Sequence, residues 1–165
     1  MNRRARLAAG LAAAVLLVAR AGEARAQSET EIASLERIGK LEIIVPDLEG
    51  AAADLGVSGD ALSSKLDAKL RSAGLPVAGF AVAYLLLDVT AIPLEVGPDV
   101  VLLTSLSFHQ PAASTLNRWL GPARTWSRER LTVTGMSRAG ETLQADVERL
   151  ADAFVASWRK ANPRL

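Results

Sequence analysis

The stretch Gly135-Met136-Ser137-Arg138-Ala139 lies where a β-branched run gives way to a helical pattern. A Gly-x-Ser-x-small turn between a strand and a helix is how a nucleophile elbow holds its serine. Its chemistry would be acyl transfer, which needs a histidine to take the hydroxyl proton and an acid to orient that histidine. The chain has one histidine, His109, and it precedes Ser137. In the fold that uses the elbow, the acid and the histidine both follow the serine. Ser137 is therefore read as the N-cap of the last helix, worth about 1 kcal/mol. A hydrolase working through Ser137, or through carboxylates such as Asp88 and Glu129, stays as the alternative reading.

Other chemistries lack their residues. There is no cysteine, which removes disulfides and thiolate nucleophiles. A structural zinc site takes about four Cys or His ligands and a catalytic one about three protein ligands, which a single histidine does not meet. The acidic residues do not fall at the spacing of a calcium loop, and the glycines are scattered rather than grouped around a phosphate. No catalytic residue, metal or cofactor is expected. His109 closes the pattern Leu103, Ser105, Ser107, His109 on the more polar side of a strand, and is expected as a surface or edge histidine. Ser107 projects the same way, about 6–7 Å along the strand, and a hydroxyl–imidazole contact is not favoured.

Binding chemistry is better represented. Between residues 118 and 138 stand Arg118, Arg124, Arg128, Arg130 and Arg138 against Glu129 alone, with Trp119 and Trp126. Alternation on a strand puts Trp126, Arg128 and Arg130 on one face. Guanidinium groups beside an exposed indole suit an anionic glycan, a lipid head group or an acidic partner. Arg124, Trp126, Arg128 and Arg130 are the candidate binding residues.

The elements that would position these groups follow from periodicity. Residues 27–39 form a flexible or short helical lead-in. Residues 41–48 hold the run Ile43-Ile44-Val45 and read as strand 1, ended by Pro46-Asp47. Leu62, Leu66, Leu70 and Ala73 share one helical face, with Ser58 as cap and Gly74-Pro76 as stop. Residues 80–92 are apolar on both faces until Asp88, which suits a central strand or one at a homodimer interface. Residues 100–110 and 125–134 make strands 3 and 4, joined by a longer loop with room for one helical turn. Leu143, Val147, Leu150, Phe154 and Trp158 lie on one stripe of the last helix. The order β-α-β-β-β-α predicts an α+β two-layer sandwich: a mostly antiparallel four-stranded sheet with two helices on one face. Only the first crossover can be parallel. Residues 40–162 are expected to form one domain.

The front of the chain reads as an address. Arg3, Arg4 and Arg6 precede an apolar core over residues 7–18, and Ala24-Arg25-Ala26 supplies small residues where a signal peptidase cuts. That core is shorter than the roughly 20 residues a membrane span needs. A signal peptide over residues 1–26 is expected, cleaved after Ala26, with the general or twin-arginine route left open. Cleavage leaves 139 of 165 residues, takes Lys plus Arg from 19 to 14 and Asp plus Glu from 18 to 17, and moves the net charge from +1 to −3. A mildly acidic domain gives no electrostatic reason for nucleic-acid binding. No transmembrane span is expected after cleavage.

Four segments carry a resemblance: KLEIIVPDLEG at residues 40–50, LRSAGLPV at 70–77, ARTWSRERLTV at 123–133 and DAFVASWRKANP at 152–163. In this order they resemble a group of small exported bacterial proteins of unknown function. The resemblance implies a periplasmic or secreted protein of α+β fold and supplies no catalytic residues. Residues 80–98 are more apolar than that pattern. The expected function is a non-catalytic binding or envelope-assembly accessory protein. Its partners would be an envelope protein, an anionic glycan or a lipid head group, and the alternatives are the hydrolase above or a structural homodimer subunit.

Overall fold

The computed structural model describes residues 29–114 and 116–163. The expected signal peptide over residues 1–26 lies outside the described residues. A short helix α1 (Glu29–Ala33) leads into strand β1 (Glu42–Ile44), a 3₁₀ turn (Gly50–Leu55) and helix α2 (Gly59–Ser72). Strands β2 (Tyr84–Pro93), β3 (Asp99–Ala113) and β4 (Leu120–Gly135) follow, then a second 3₁₀ turn (Met136–Arg138) and helix α3 (Ala139–Ala161). The sheet order is β1-β2-β3-β4. β1 runs parallel to β2, while β2–β3 and β3–β4 are antiparallel. The expected α+β class, its β-α-β-β-β-α order and its single parallel crossover are those observed.

Local chemistry explains the ends of α2. Ser58 Oγ accepts from Ala61 N at 3.2 Å, filling one free first-turn donor. At the other end Gly74 takes φ 92°, Leu75 N donates to Leu70 O at 3.0 Å and Gly74 N to Arg71 O at 3.0 Å. That pair of bonds is a Schellman closure, with buried Leu75 against buried Leu70 as its apolar contact. Helix α3 has no side-chain cap. Ser137, expected to cap it, lies inside the preceding 3₁₀ turn, exposed, and the helix begins two residues later.

The core lies between the helices and one face of the sheet. Leu62, Leu66 and Leu70 of α2 and Leu143, Val147, Leu150, Phe154 and Trp158 of α3 join Leu85, Leu87, Leu102, Leu106, Phe108 and Trp126 in one buried cluster. Phe154 sits at its centre. Its ring meets Trp126 edge-on at 5.0 Å and Phe108 at 5.8 Å, the tilted geometries aromatic pairs prefer. Where α3 starts, a Cβ built on Gly140 would overlap the Leu55 carbonyl oxygen. Glycine lets the helix start touch the first 3₁₀ turn. At the far end Asn162 locks the lead-in: its Nδ2 donates to Leu35 O at 2.9 Å and its Oδ1 accepts from Arg37 N at 2.9 Å.

Strands β3 and β4 are longer than the sequence suggested. Their pairing continues past the end of β2, from Gln110–Ala123 to Ala113–Leu120, making a two-stranded arm where a longer loop was expected. Strand β1 is correspondingly shorter than residues 41–48.

Candidate binding surface

The sheet presents two faces, and the structure divides the four candidate residues between them. Trp126, Arg128 and Arg130 share a face, as alternation requires, but it is the face the helices cover. Trp126 is 1% exposed, so the exposed indole expected there is instead a core residue. Its partner Phe154 and its cross-strand neighbour Phe108 are both buried. Arg128 reaches over the Trp126 ring, 5.4 Å from its centroid, and pairs with Glu31 of α1 at 3.5 Å. Arg130 Nε donates to Asp146 Oδ1 at 2.7 Å, and Thr132 Oγ1 donates to Asp146 Oδ2 at 2.7 Å. Asp146 belongs to α3 and is fully buried. Two of the three arginines thus fasten helices to β4. Arg124 alone stands exposed on the other face, set there by an irregularity in the β3–β4 register between Phe108 and His109.

That other face has no helix over it. Register arranges it in cross-strand rows. The first row is Glu42, Tyr84, His109 and Arg124; the second is Ile44, Leu86, Ser107 and Ser127. Asp88, Ser105 and Glu129 make the third, Thr90, Leu103 and Leu131 the fourth, and Ile92, Val101 and Val133 the fifth. Leu103 is 38% exposed, Leu131 46% and Val133 47%. The open face thus carries an acidic third row, a first row in which Glu42 and Arg124 stand at opposite ends, and two largely apolar rows.

His109 sits in the first row. Its ring stacks on Tyr84 with centroids 4.8 Å apart and planes 4° from parallel. Its Nε2 lies 3.0 Å from Ser107 Oγ, so the contact not favoured on spacing is made. Burial, then the nearby Arg124 guanidinium, hold the imidazole below its ordinary pKa of 6.5. A Ser–His pair invites the question of catalysis. Glu42, the carboxylate of the same row, lies two strands away, about 10 Å, and accepts from Ala81 N at 3.4 Å. β3 is paired on both sides here, which commits its N–H groups to the ladder rather than to an oxyanion hole. The pair fixes a side chain and a ring; it does not assemble a triad. Asp88 and Glu129 share the third row with Ser105 between them, so the two carboxylates named from sequence do stand on one face.

The indole that does face solvent is Trp119, at the tip of the β3–β4 arm. It is 50% exposed, and neighbouring Leu116 is 96% exposed. Ser114 N donates to Trp119 O at 2.8 Å to close the tip, and the indole lies over Gly121, where a Cβ would overlap it. The pair Trp119-Leu120 and the Gly121 beside it were legible signals, hidden by the expectation of a loop. Among the described residues no three His, Cys, Asp or Glu side chains group as metal ligands, and no helix is long and apolar enough to cross a membrane. A groove of about 640 Å³ runs between α1 and the end of α3, along Ile32, Arg37 and Lys160.

No protein-family model matches the chain, and no curated protein matches it. Solved structures similar to it include a PelC dodecamer from Paraburkholderia phytofirmans, with a TM-score of 0.41 and 16% identity over 72% of this chain and 85% of that one. A minor lipoprotein from Acinetobacter baumannii has a TM-score of 0.36 and 14% identity over 76% of this chain and 94% of that one.

Proposed function

We propose that this chain is an exported, non-catalytic accessory protein of the bacterial envelope that works by binding through its uncovered sheet face. The observation that carries the reading is the one-sided packing of the sheet. The helices cover one face, and the other leaves Leu103, Leu131 and Val133 partly exposed beside a row of acids. Export is supported by the basic residues, apolar core and Ala24-Arg25-Ala26 of the first 26 residues. The resemblance to small exported bacterial proteins points the same way.

The test is site-specific photocrosslinking in the intact envelope. A photoreactive residue at Leu103 or Leu131 should capture the same protein, and one at Asp67, on the helical side, should not. Equal capture from both sides, or from neither, would remove the open face as the working surface. The alternative, hydrolysis through Ser137, is tested by a serine-reactive fluorophosphonate. No adduct at Ser137 is expected, and an adduct there would overturn the non-catalytic reading.

A further inference from the structure

We infer that the occupant of the open face is the same face of a second copy, paired about a two-fold axis that runs along the Leu86–Ser107–Ser127 row. The inference rests on the open face being the working surface and says what covers it. An isologous pair requires the patch to be complementary to itself. The row order meets that requirement. Rows are two residues apart, about 6.7 Å. A two-fold axis along the second row reverses their order and keeps each strand over its own copy. The third row of one protomer then lies over the first row of its partner.

The side chains match in that arrangement. Asp88 on β2 faces the Tyr84 hydroxyl, Ser105 on β3 faces the His109 ring, and Glu129 on β4 faces the Arg124 guanidinium. Each is an acceptor or hydroxyl set against a donor or ring nitrogen, and Glu129 with Arg124 is an opposite-charge pair made twice by symmetry. The next rows match by polarity. Thr90, Leu103 and Leu131 lie over Pro111 and Pro122 at the root of the partner's arm, which alternation from His109 and Arg124 puts on the same face and which are exposed. Aligned sheets cross at about 30°. At one row from the axis, that displaces partners sideways by about 3 Å, less than the 4.8 Å strand spacing. The charged pairs therefore survive the twist, and the broad apolar rows beyond tolerate a shift of one strand. Three strands over five rows give a footprint of about 14 by 33 Å. That is roughly 460 Å² in plan before side-chain relief, a little over half the roughly 800 Å² per partner of a standard interface.

The experiment is a charge swap read by sedimentation equilibrium on the exported protein. Wild type is expected as a dimer. Arg124→Glu and Glu129→Arg each place like charges across the interface and should each weaken association about tenfold or more. The double variant Arg124→Glu/Glu129→Arg restores opposite charges and should recover most of the wild-type affinity. Both residues are exposed, so folding is retained and is checked by circular dichroism. The chain has no cysteine, so Ser127→Cys creates a unique thiol on the axis, expected to join its own copy through a short bismaleimide. A monomeric wild type overturns the inference, as do single variants that dimerise normally or a double variant without rescue. Capture of a different envelope protein at Leu103 by a monomer would leave the proposed function standing and remove only the second copy.

Discussion

Asp146→Ala tests how the helical layer is fastened to the sheet. Asp146 is fully buried on α3 and accepts from Arg130 Nε and Thr132 Oγ1, both at 2.7 Å, with Arg149 Nη1 further off at 3.5 Å. Alanine removes both acceptor oxygens. A hydrogen bond to a charged group contributes about 1.5–3 kcal/mol, and a neutral donor's bond about 1 kcal/mol. Removing one partner of a buried ion pair costs about 3–5 kcal/mol. Arg130 keeps a quarter of its side chain exposed, so water recovers part of its loss, and about 3 kcal/mol is the expected cost. For a domain of this size that is a fall in Tm of about 10 °C. Asp146→Asn keeps one carbonyl oxygen and should lose about half as much. Urea unfolding monitored by tryptophan fluorescence measures the free-energy losses, because Trp126 is buried in the core, and a thermal melt gives the Tm. In a double-mutant cycle with Arg130→Met the two losses should be far from additive. A loss below about 0.5 kcal/mol for Asp146→Ala, or additive losses in the cycle, would refute the network as a fastening.

Three further outcomes are expected. Gly140→Ala, normally worth about 1 kcal/mol of stabilisation in a helix, should instead destabilise, because its Cβ meets the Leu55 carbonyl; a raised Tm would show that the 3₁₀ turn yields. Phe154→Ala removes the ring that Trp126 and Phe108 pack on and should cost about 3–5 kcal/mol, read in the same urea titration; an unchanged midpoint would mean α3 does not dock. The single histidine gives one imidazole C2–H signal, whose NMR titration in dilute protein should fall below 6.5 and rise in Arg124→Ala. The folded state then binds its proton less readily than the unfolded one, so this stability is complete above pH 6.5 and is lost as pH falls from there through the folded-state value; a titration at or above 6.5 contradicts the burial and Arg124 causes.

Periodicity made the layout legible because most elements obey it. Leu62, Leu66 and Leu70, and the α3 stripe from Leu143 to Trp158, are where their spacing put them. Strand β4 does not obey it. Beyond Trp126 its inward residues are Arg128, Arg130, Thr132 and Thr134, while Leu131 and Val133 look outward. Polarity along that strand is inverted, so reading Arg128 and Arg130 as a wet face followed the ordinary rule and missed the exception. The clue lay on another element. Asp146 falls three residues after Leu143 and four before Leu150, squarely on the buried stripe. A carboxylate there requires partners, and the two short contacts come from arginine and threonine on the facing strand. The arm was missed for a related reason. Pro111 and Pro122 read as strand breakers, yet past the Tyr84–His109 pair both strands of the arm are edges, where a missing N–H costs little.

The inversion on β4 links the two faces of the sheet. A strand that spends arginines and threonines on the helix layer has its leucine and valine left for the outside. Leu131 and Val133 would be a liability on a solitary protein, since exposed apolar rows on a sheet invite unselected contacts. The acidic third row and the Arg124 row restrict which surface can lie on them. A copy of this face sets its acidic third row on the acidic third row of its partner unless it presents the rows in reverse order, as a two-fold pair about the second row does. The polar network on the inside and the selectivity on the outside are therefore consequences of one alternation. Moving Arg130 and Leu131 to each other's positions, as Arg130→Leu/Leu131→Arg, should show both at once: Asp146 loses its partner, stability falls by about 3 kcal/mol, and association weakens because a charge enters the apolar fourth row. Loss of stability with association intact would separate the two faces and break this link.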